Sequence, residues 1–267
     1  MKALPELCNV IRYDIKVFFR YRINVVWLIV TPIVYAFIGY LLSTMYGAER
    51  FAETTSGAPS GFLYGLVGYA VFSLSNFCWQ SGGAVENAMR TGVARTNFAL
   101  PIRRSSYLYG MCLGTLCTNG IFTLIMFVTS IILAGTVFLN IVFALFFLLL
   151  SIFYFLGISL CMSSLALLYK NVGNIANILT FLMQLLTGLM IPINSLPQWL
   201  RVMSHICPTT WAIDSVRSQI MGIKPLQPVS TALLVLVGSA MLSNLLGAYA
   251  LKKATEKMER MNLLDGY

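Results

Sequence analysis

Long runs without a charged side chain constrain this chain more than any other feature. Five of them, Ile23–Ala48, Thr54–Val85, Ser105–Tyr169, Asn171–Leu200 and Pro225–Leu251, take up most of the 267 residues. An ionisable group at the centre of a bilayer costs at least about 2.5 kcal/mol on insertion scales, so membrane crossings leave such runs in a sequence. With 58% hydrophobic residues, 10% charged residues and a mean hydropathy of +0.80, the chain has too little polar material to cover a soluble core. An all-α polytopic membrane protein is the fold class that follows.

A helical crossing needs roughly 20 apolar residues. The 65-residue run Ser105–Tyr169 therefore holds two crossings, divided by the turn material Ala134-Gly135-Thr136 and Asn140. That makes six spans, at about Val25–Tyr46, Phe62–Cys78, Leu108–Leu133, Ile141–Ala166, Ile175–Ile191 and Leu233–Leu251, in a single transmembrane domain over residues 1–267. An even number puts both termini on one side. The connections on that side carry fourteen of the eighteen Lys and Arg residues, whereas the opposite side has only Arg50, Arg201, Arg217 and Lys224. Positive loops stay inside, so both termini are expected in the cytoplasm and the chain in the cell membrane. The first span is too long for a signal-peptide core of about 7–15 residues and is expected to be retained. The net charge of +9 is spread along one membrane face, which points to anionic lipid or a cytoplasmic partner rather than nucleic acid.

Outside the spans, Leu4, Leu7, Ile11, Ile15 and Phe18 recur at helical intervals, with Arg12, Lys16 and Arg20 on the other side. Residues 4–22 are read as an interfacial helix on the inner leaflet; a helix packed on a partner would show the same stripe. Asp14 falls on its apolar side without explanation. Gly47–Gly61 reads as an ordinary external connection. The inner loop of residues 84–104 is expected to start as a helix around Glu86–Met89, to break at Gly92 and to present Phe98, Leu100 and Pro101 to another protein. A simple positive anchor is the alternative. The tail after Leu251 is expected to extend the sixth helix into the cytosol.

The fifth span does not end cleanly. Met183–Arg217, MQLLTGLMIPINSLPQWLRVMSHICPTTWAIDSVR, stays half-apolar through Pro192, Pro197, Trp199 and Pro208. Residues 190–224 are read as an external re-entrant segment that caps the mouth of the bundle, with Asp214 and Arg217 close enough on one helix to pair.

The spans hold no charged residue, which argues against an ion-driven carrier. The lone His205 has no nearby carboxylate closer in sequence than Asp214, and the six cysteines form no C-x-x-C pair, so neither suggests a metal site. No phosphate loop, nucleophile elbow or H-E-x-x-H helix is present. A chain of this kind that moves a solute uphill needs its energy from another subunit.

The interfacial helix, the six spans, the loop Glu86…Gly92…Leu100-Pro101 and above all LTGLMIPINSLPQWL followed by CPTTWAIDSVR resemble the ABC type-2 permease family, the membrane subunits of type V ATP-binding-cassette exporters. Thr187-Gly188, Pro192, Leu196-Pro197, Trp199-Leu200, Pro208, Asp214 and Arg217 match the family pattern. Cys207 stands where the family often has Asn, and the inner loop lacks the usual second acidic residue near Gly92.

The resemblance implies a dimer of permeases, of this chain or a paralogue, over two nucleotide-binding ATPase subunits. ATP and Mg would be held by those subunits, and no cofactor by this chain. It makes Glu86, Met89, Arg90, Gly92, Phe98, Leu100 and Pro101 the coupling element that docks on the ATPase. It also sets the second and fifth spans along a central cavity, with Phe72, Asn76, Trp79, Thr180, Met183, Gln184 and Thr187 as candidate lining; ordinary helix packing would use the same side chains. The expected cargo is a hydrophobic or amphipathic drug, antibiotic, peptide or lipid-like solute. A lipid-linked glycan or polysaccharide is the runner-up, and a passive channel or membrane scaffold without an ATPase is the rival from another class.

Overall fold

The computed structural model describes residues 3–94, 104–169, 172–189 and 191–260, and among these the regular structure is helical, with no strand. In chain order the helices are α1 (Ala3–Arg20), α2 (Arg22–Tyr46), α3 (Ala48–Thr54), α4 (Gly61–Arg90), α5 (Arg104–Ala134), α6 (Phe138–Leu168), α7 (Val172–Leu186), α8 (Gln198–Ile206), α9 (Pro208–Met221) and α10 (Val229–Arg260). Five of these, α2, α4, α5, α6 and α10, are long and apolar enough to cross a bilayer, and α7 is a shorter apolar helix. At 15 residues α7 measures about 22 Å, less than a hydrocarbon core of about 30 Å, so the chain beyond it must complete the crossing.

Helix α4 is the hub. It packs against α2, α5, α6, α7 and α9, and its central window is almost wholly buried, as a helix surrounded by other helices requires. Glycines permit the closest of these contacts. A Cβ on Gly39 of α2 would lie 2.2 Å from the Gly61 carbonyl oxygen, and one on Gly65 would lie 2.6 Å from that of Tyr35, so α2 and α4 meet backbone to backbone. The pair α6 and α10 uses the same device, with Gly247 set against the Gly157 carbonyl.

Several expectations are revised. The second span does not stop near Cys78: α4 continues without a break to Arg90, because its last turns are buried among the ends of α5, α6, α7 and α10 on the side of the chain termini. Glu86–Met89 thus belongs to the spanning helix and starts no separate element. The fifth helix ends at Leu186, not Ile191, where Gly188 turns to φ +70°. The external connection Gly47–Gly61 contains a helix, α3, whose Phe51 packs edge-on against Tyr64 at 5.7 Å. The tail does continue the last helix, to Arg260.

Helix α1 follows the expected stripe and lies along the first half of α5. Asp14 on its apolar side now has a place. It packs onto Gly114, whose missing side chain makes the room, and burial raises its carboxyl pKa to about 6.

Candidate functional site

The candidate site is the pair of joints that hold α7 to α4, one at each end of the short helix; the joint on the side of the chain termini is termed inner and the opposite one outer. At the outer joint the backbone reverses inside protein, so each freed carbonyl needs a donor. Ser204 Oγ of α8 donates to the Leu186 carbonyl. Arg217 of α9 donates from Nη1 to the Gly188 carbonyl at 3.0 Å and from Nε to the Tyr64 carbonyl of α4 at 3.2 Å, while the Tyr64 hydroxyl donates to Gly188 at 3.4 Å. The guanidinium also stacks on the Tyr64 ring at 3.6 Å and fills the space left by Gly68. One side chain, only 3% exposed, therefore ties α4, α7 and α9 together.

The expected Asp214–Arg217 pair does not form; the two side chains serve different partners. Asp214 accepts the Leu226 backbone N–H at 2.8 Å and so fixes the turn after α9. Burial pushes its carboxyl up to about 6 against the pull of that hydrogen bond and of Arg217, and burial lowers the Arg217 guanidinium from its ordinary value. Thr210 Oγ1 and Arg217 Nη2 are buried without a protein partner and line a cavity of about 20 Å³, enough for one bridging water.

The rest of the cap closes round this joint. Pro192 is buried ahead of a 3-10 turn, Ile193–Ser195, and Pro197 and Pro208 set the starts of α8 and α9. Arg201 donates from Nη2 to the Asn194 and Leu196 carbonyls, and Asn194 donates to Thr54 at the end of α3. Trp199 is exposed together with Val202, Met203 and Ile206, an apolar stripe along α8 suited to the boundary of a bilayer.

At the inner joint Glu86, 7% exposed, accepts the Gly173 backbone N–H at 3.0 Å and pairs with Arg90 at 3.6 Å. A carboxylate on the first turn of α7 satisfies an otherwise free donor and complements the helix dipole. Of the expected coupling residues, Met89 is 3% exposed and sits in the core with Val85, Leu108, Val172 and Leu251, so it anchors the end of α4 and is not a docking knob. Arg90, Thr91 and Val93 are exposed, and Gly92 takes φ +76°, which favours glycine. Phe98, Leu100 and Pro101 lie outside the described residues. On α1, Arg12, Arg20 and neighbouring Tyr13 are exposed, and Lys16 is exposed beside them.

The proposed cavity residues do not converge on one surface. Phe72 is fully buried in the core, Trp79 packs against it, Thr187 is buried, and the Thr180 and Thr187 hydroxyls bond back to the Ala176 and Met183 carbonyls. Met183 instead meets Cys207, sulfur to sulfur, at 3.5 Å. Gln184 and Asn76 are linked through two further residues, Tyr35 and Tyr69. Gln184 Nε2 donates to the Tyr35 hydroxyl at 3.2 Å, the Tyr35 ring stacks on Tyr69 at 3.6 Å, and Asn76 Nδ2 reaches the Tyr69 hydroxyl at 3.4 Å. Tyrosine in the middle of a charge-free run was the available clue, since its hydroxyl must find a partner there.

The arrangement ties α7 to α4 at both ends of the short helix. A family model described as ABC-2 type transporter matches residues 5–221. No curated protein matches the chain significantly.

Proposed function

Because the chain belongs to the ABC-2 type transporter family, and so is a membrane-spanning permease component and not an ATPase, we propose that it exports a hydrophobic or amphipathic solute from the cytoplasm, driven by a separate nucleotide-binding subunit. In this reading both termini and the loop after Gly92 face the cytoplasm of a cell membrane, and ATP and Mg are held by the partner subunit. A second permease, a copy or a paralogue, completes the translocation path.

The single observation that carries the reading is the double tie between α4 and α7. Glu86 joins them at the inner end, four residues before the exposed Arg90 and six before Gly92. Arg217 and Tyr64 join them again under the outer cap. A push on the segment after Arg90 is therefore delivered to both helices, and through the Gly188 carbonyl to α8 and α9. Coupling in this scheme requires that the partner ATPase bind the two positions of the inner end with different affinity.

The face of α7 that carries Asn174, Asn177, Ile178 and Phe181 is exposed, which suits a boundary shared with the second permease. Apart from Glu86 and Arg90 at the end of α4, that helix and α7 carry no charge, which favours neutral or weakly charged amphiphiles. The test is reconstitution of the chain with its nucleotide-binding subunit into inside-out vesicles. ATP-dependent accumulation of a fluorescent amphiphile is expected. Equal uptake without ATP, or with the ATPase omitted, sinks the proposal.

A further inference from the structure

Besides the two joints, the bundle contains a groove of about 360 Å³ between α2, α4 and α5. Its volume lies within the range of about 300–1,000 Å³ typical of small-molecule sites. It shares only Asn76 with the expected cavity residues. No described residue lining it is charged.

Two properties of the lining define a ligand. The first is a set of carboxamides with capacity to spare. Asn24 Nδ2 donates to the Phe18 carbonyl, Asn76 Nδ2 to the Tyr69 hydroxyl and Asn119 Nδ2 to Gln80 Oε1 at 2.9 Å. Each amide has one end engaged, which leaves carbonyl oxygens on three of them and the Gln80 amide nitrogen to face the groove. The second is an aromatic wall, in which Tyr69 meets Phe122 edge-on at 5.8 Å and Trp27 stands exposed at the rim. A group that both donates and accepts, carries no charge and offers C–H faces to rings satisfies this lining. Hydroxyls on a compact ring or chain do so; a phosphate, a carboxylate or an ammonium would find no counter-ion.

The level in the bundle completes the argument. Asn24 lies in the first turn of α2, Gln80 about 15 Å along α4 from Arg90, and Tyr69 about 16 Å deeper. The groove thus runs from the boundary on the side of the chain termini toward the middle of the bilayer, with Gln80 and Trp27 exposed along its edge. Such a cluster of uncharged polar groups facing lipid tails is costly unless something polar occupies it.

We propose that this groove binds the uncharged, hydroxyl-bearing headgroup of an amphiphile drawn from the leaflet beside the termini. The headgroup is that of transported cargo or of a resident lipid; only the cargo case rests on the export reading.

Binding is tested on the full chain in lipid nanodiscs without the ATPase, with Trp79, Trp199 and Trp211 changed to Phe so that Trp27 reports alone. The probes are octyl glucoside, octyltrimethylammonium and octyl sulfate. Octyl glucoside is expected to give a saturable fluorescence change that neither charged analogue gives. The double variant Gln80→Leu/Asn119→Leu is expected to bind it about tenfold more weakly, the loss of roughly two modest hydrogen bonds. Gln80→Lys is expected to shift the preference to octyl sulfate, a gain that misfolding cannot imitate. Equal binding of all three probes, or unchanged affinity and preference in the variants, overturns the proposal. With the ATPase added, stimulation of ATP hydrolysis by octyl glucoside that the double variant loses supports the site as a cargo site. Binding without stimulation supports it as a lipid site. Failed glucoside binding beside intact ATP-driven export removes the groove and leaves the export reading standing.

Discussion

Replacing Arg217 with Met tests the outer joint at its centre. The substitution keeps the apolar stem and deletes the hydrogen bonds to the Gly188 and Tyr64 carbonyls and the stacking on Tyr64. Hydrogen bonds from a charged donor contribute about 1.5–3 kcal/mol each and a desolvated cation–π contact up to about 2 kcal/mol. Against this stands the relief of no longer burying a guanidinium, worth several kcal/mol. Gly188 also keeps the Tyr64 hydroxyl. The net expected loss is about 2–3 kcal/mol, concentrated where α7 ends. Cys207 gives a local readout, since it is buried in the cap with its sulfur against Met183. With the other five cysteines changed to Ala, a membrane-impermeant maleimide is expected to label Cys207 about 30- to 150-fold faster in the Met variant than in the parent. Arg217→Lys is expected to resemble Met, because an ammonium cannot bridge two carbonyls and a ring as a planar guanidinium does. Unchanged labelling and melting temperature in Arg217→Met would refute the assignment of this residue as the clamp.

Three further outcomes follow from the geometry. Glu86→Leu leaves the Gly173 N–H without its acceptor and is expected to cost about 1–2 kcal/mol, read as a lower melting temperature, with Glu86→Gln losing less than half of that. Gly65→Val drives a side chain into the Tyr35 carbonyl, 2.6 Å from where its Cβ would stand, and is expected to abolish the monodisperse peak in size-exclusion chromatography; a well-behaved Val variant contradicts the backbone contact of α2 and α4. Asp14, with a folded pKa of about 6 against an ordinary 3.8, binds more protons folded than unfolded between those values. Stability therefore falls as pH rises through about 4 to 6 and stays lower above it. Asp14→Asn is expected to flatten that window and raise the melting temperature at neutral pH, and an unaltered pH profile argues against burial of this carboxyl.

The spans were legible because charge avoidance in a bilayer is a strong and local rule. The same rule misled at Glu86. A charge there looked like the start of a loop, yet the side chain is buried because Gly173 and Arg90 neutralise its cost, and both partners come from outside the window a charge-free run can display. Asp14 was a similar case, made tolerable by the absence of a side chain at Gly114, a hundred residues away in the sequence. The Pro- and Trp-rich cap was visible as an irregularity, and Pro197 and Pro208 stand at the starts of its two helices. Its internal wiring was not visible. Asp214 and Arg217 invite pairing by spacing, whereas their partners, Leu226 for one and Gly188 with Tyr64 for the other, are set by how α9 lies against α4 and α7. The short helix in Gly47–Gly61 was hidden by turn-forming composition and is held by contacts to Tyr64 and Asn194.

Linkage of the inner joint to the outer one is the premise of the proposed coupling. It is tested most directly by measuring Cys207 labelling from outside in the chain reconstituted with its nucleotide-binding subunit, with and without ATP, in the parent and in Glu86→Leu. A nucleotide-dependent change in labelling rate in the parent that disappears in Glu86→Leu is the predicted result. Labelling that ignores nucleotide in the parent, or that responds equally in both chains, would contradict it.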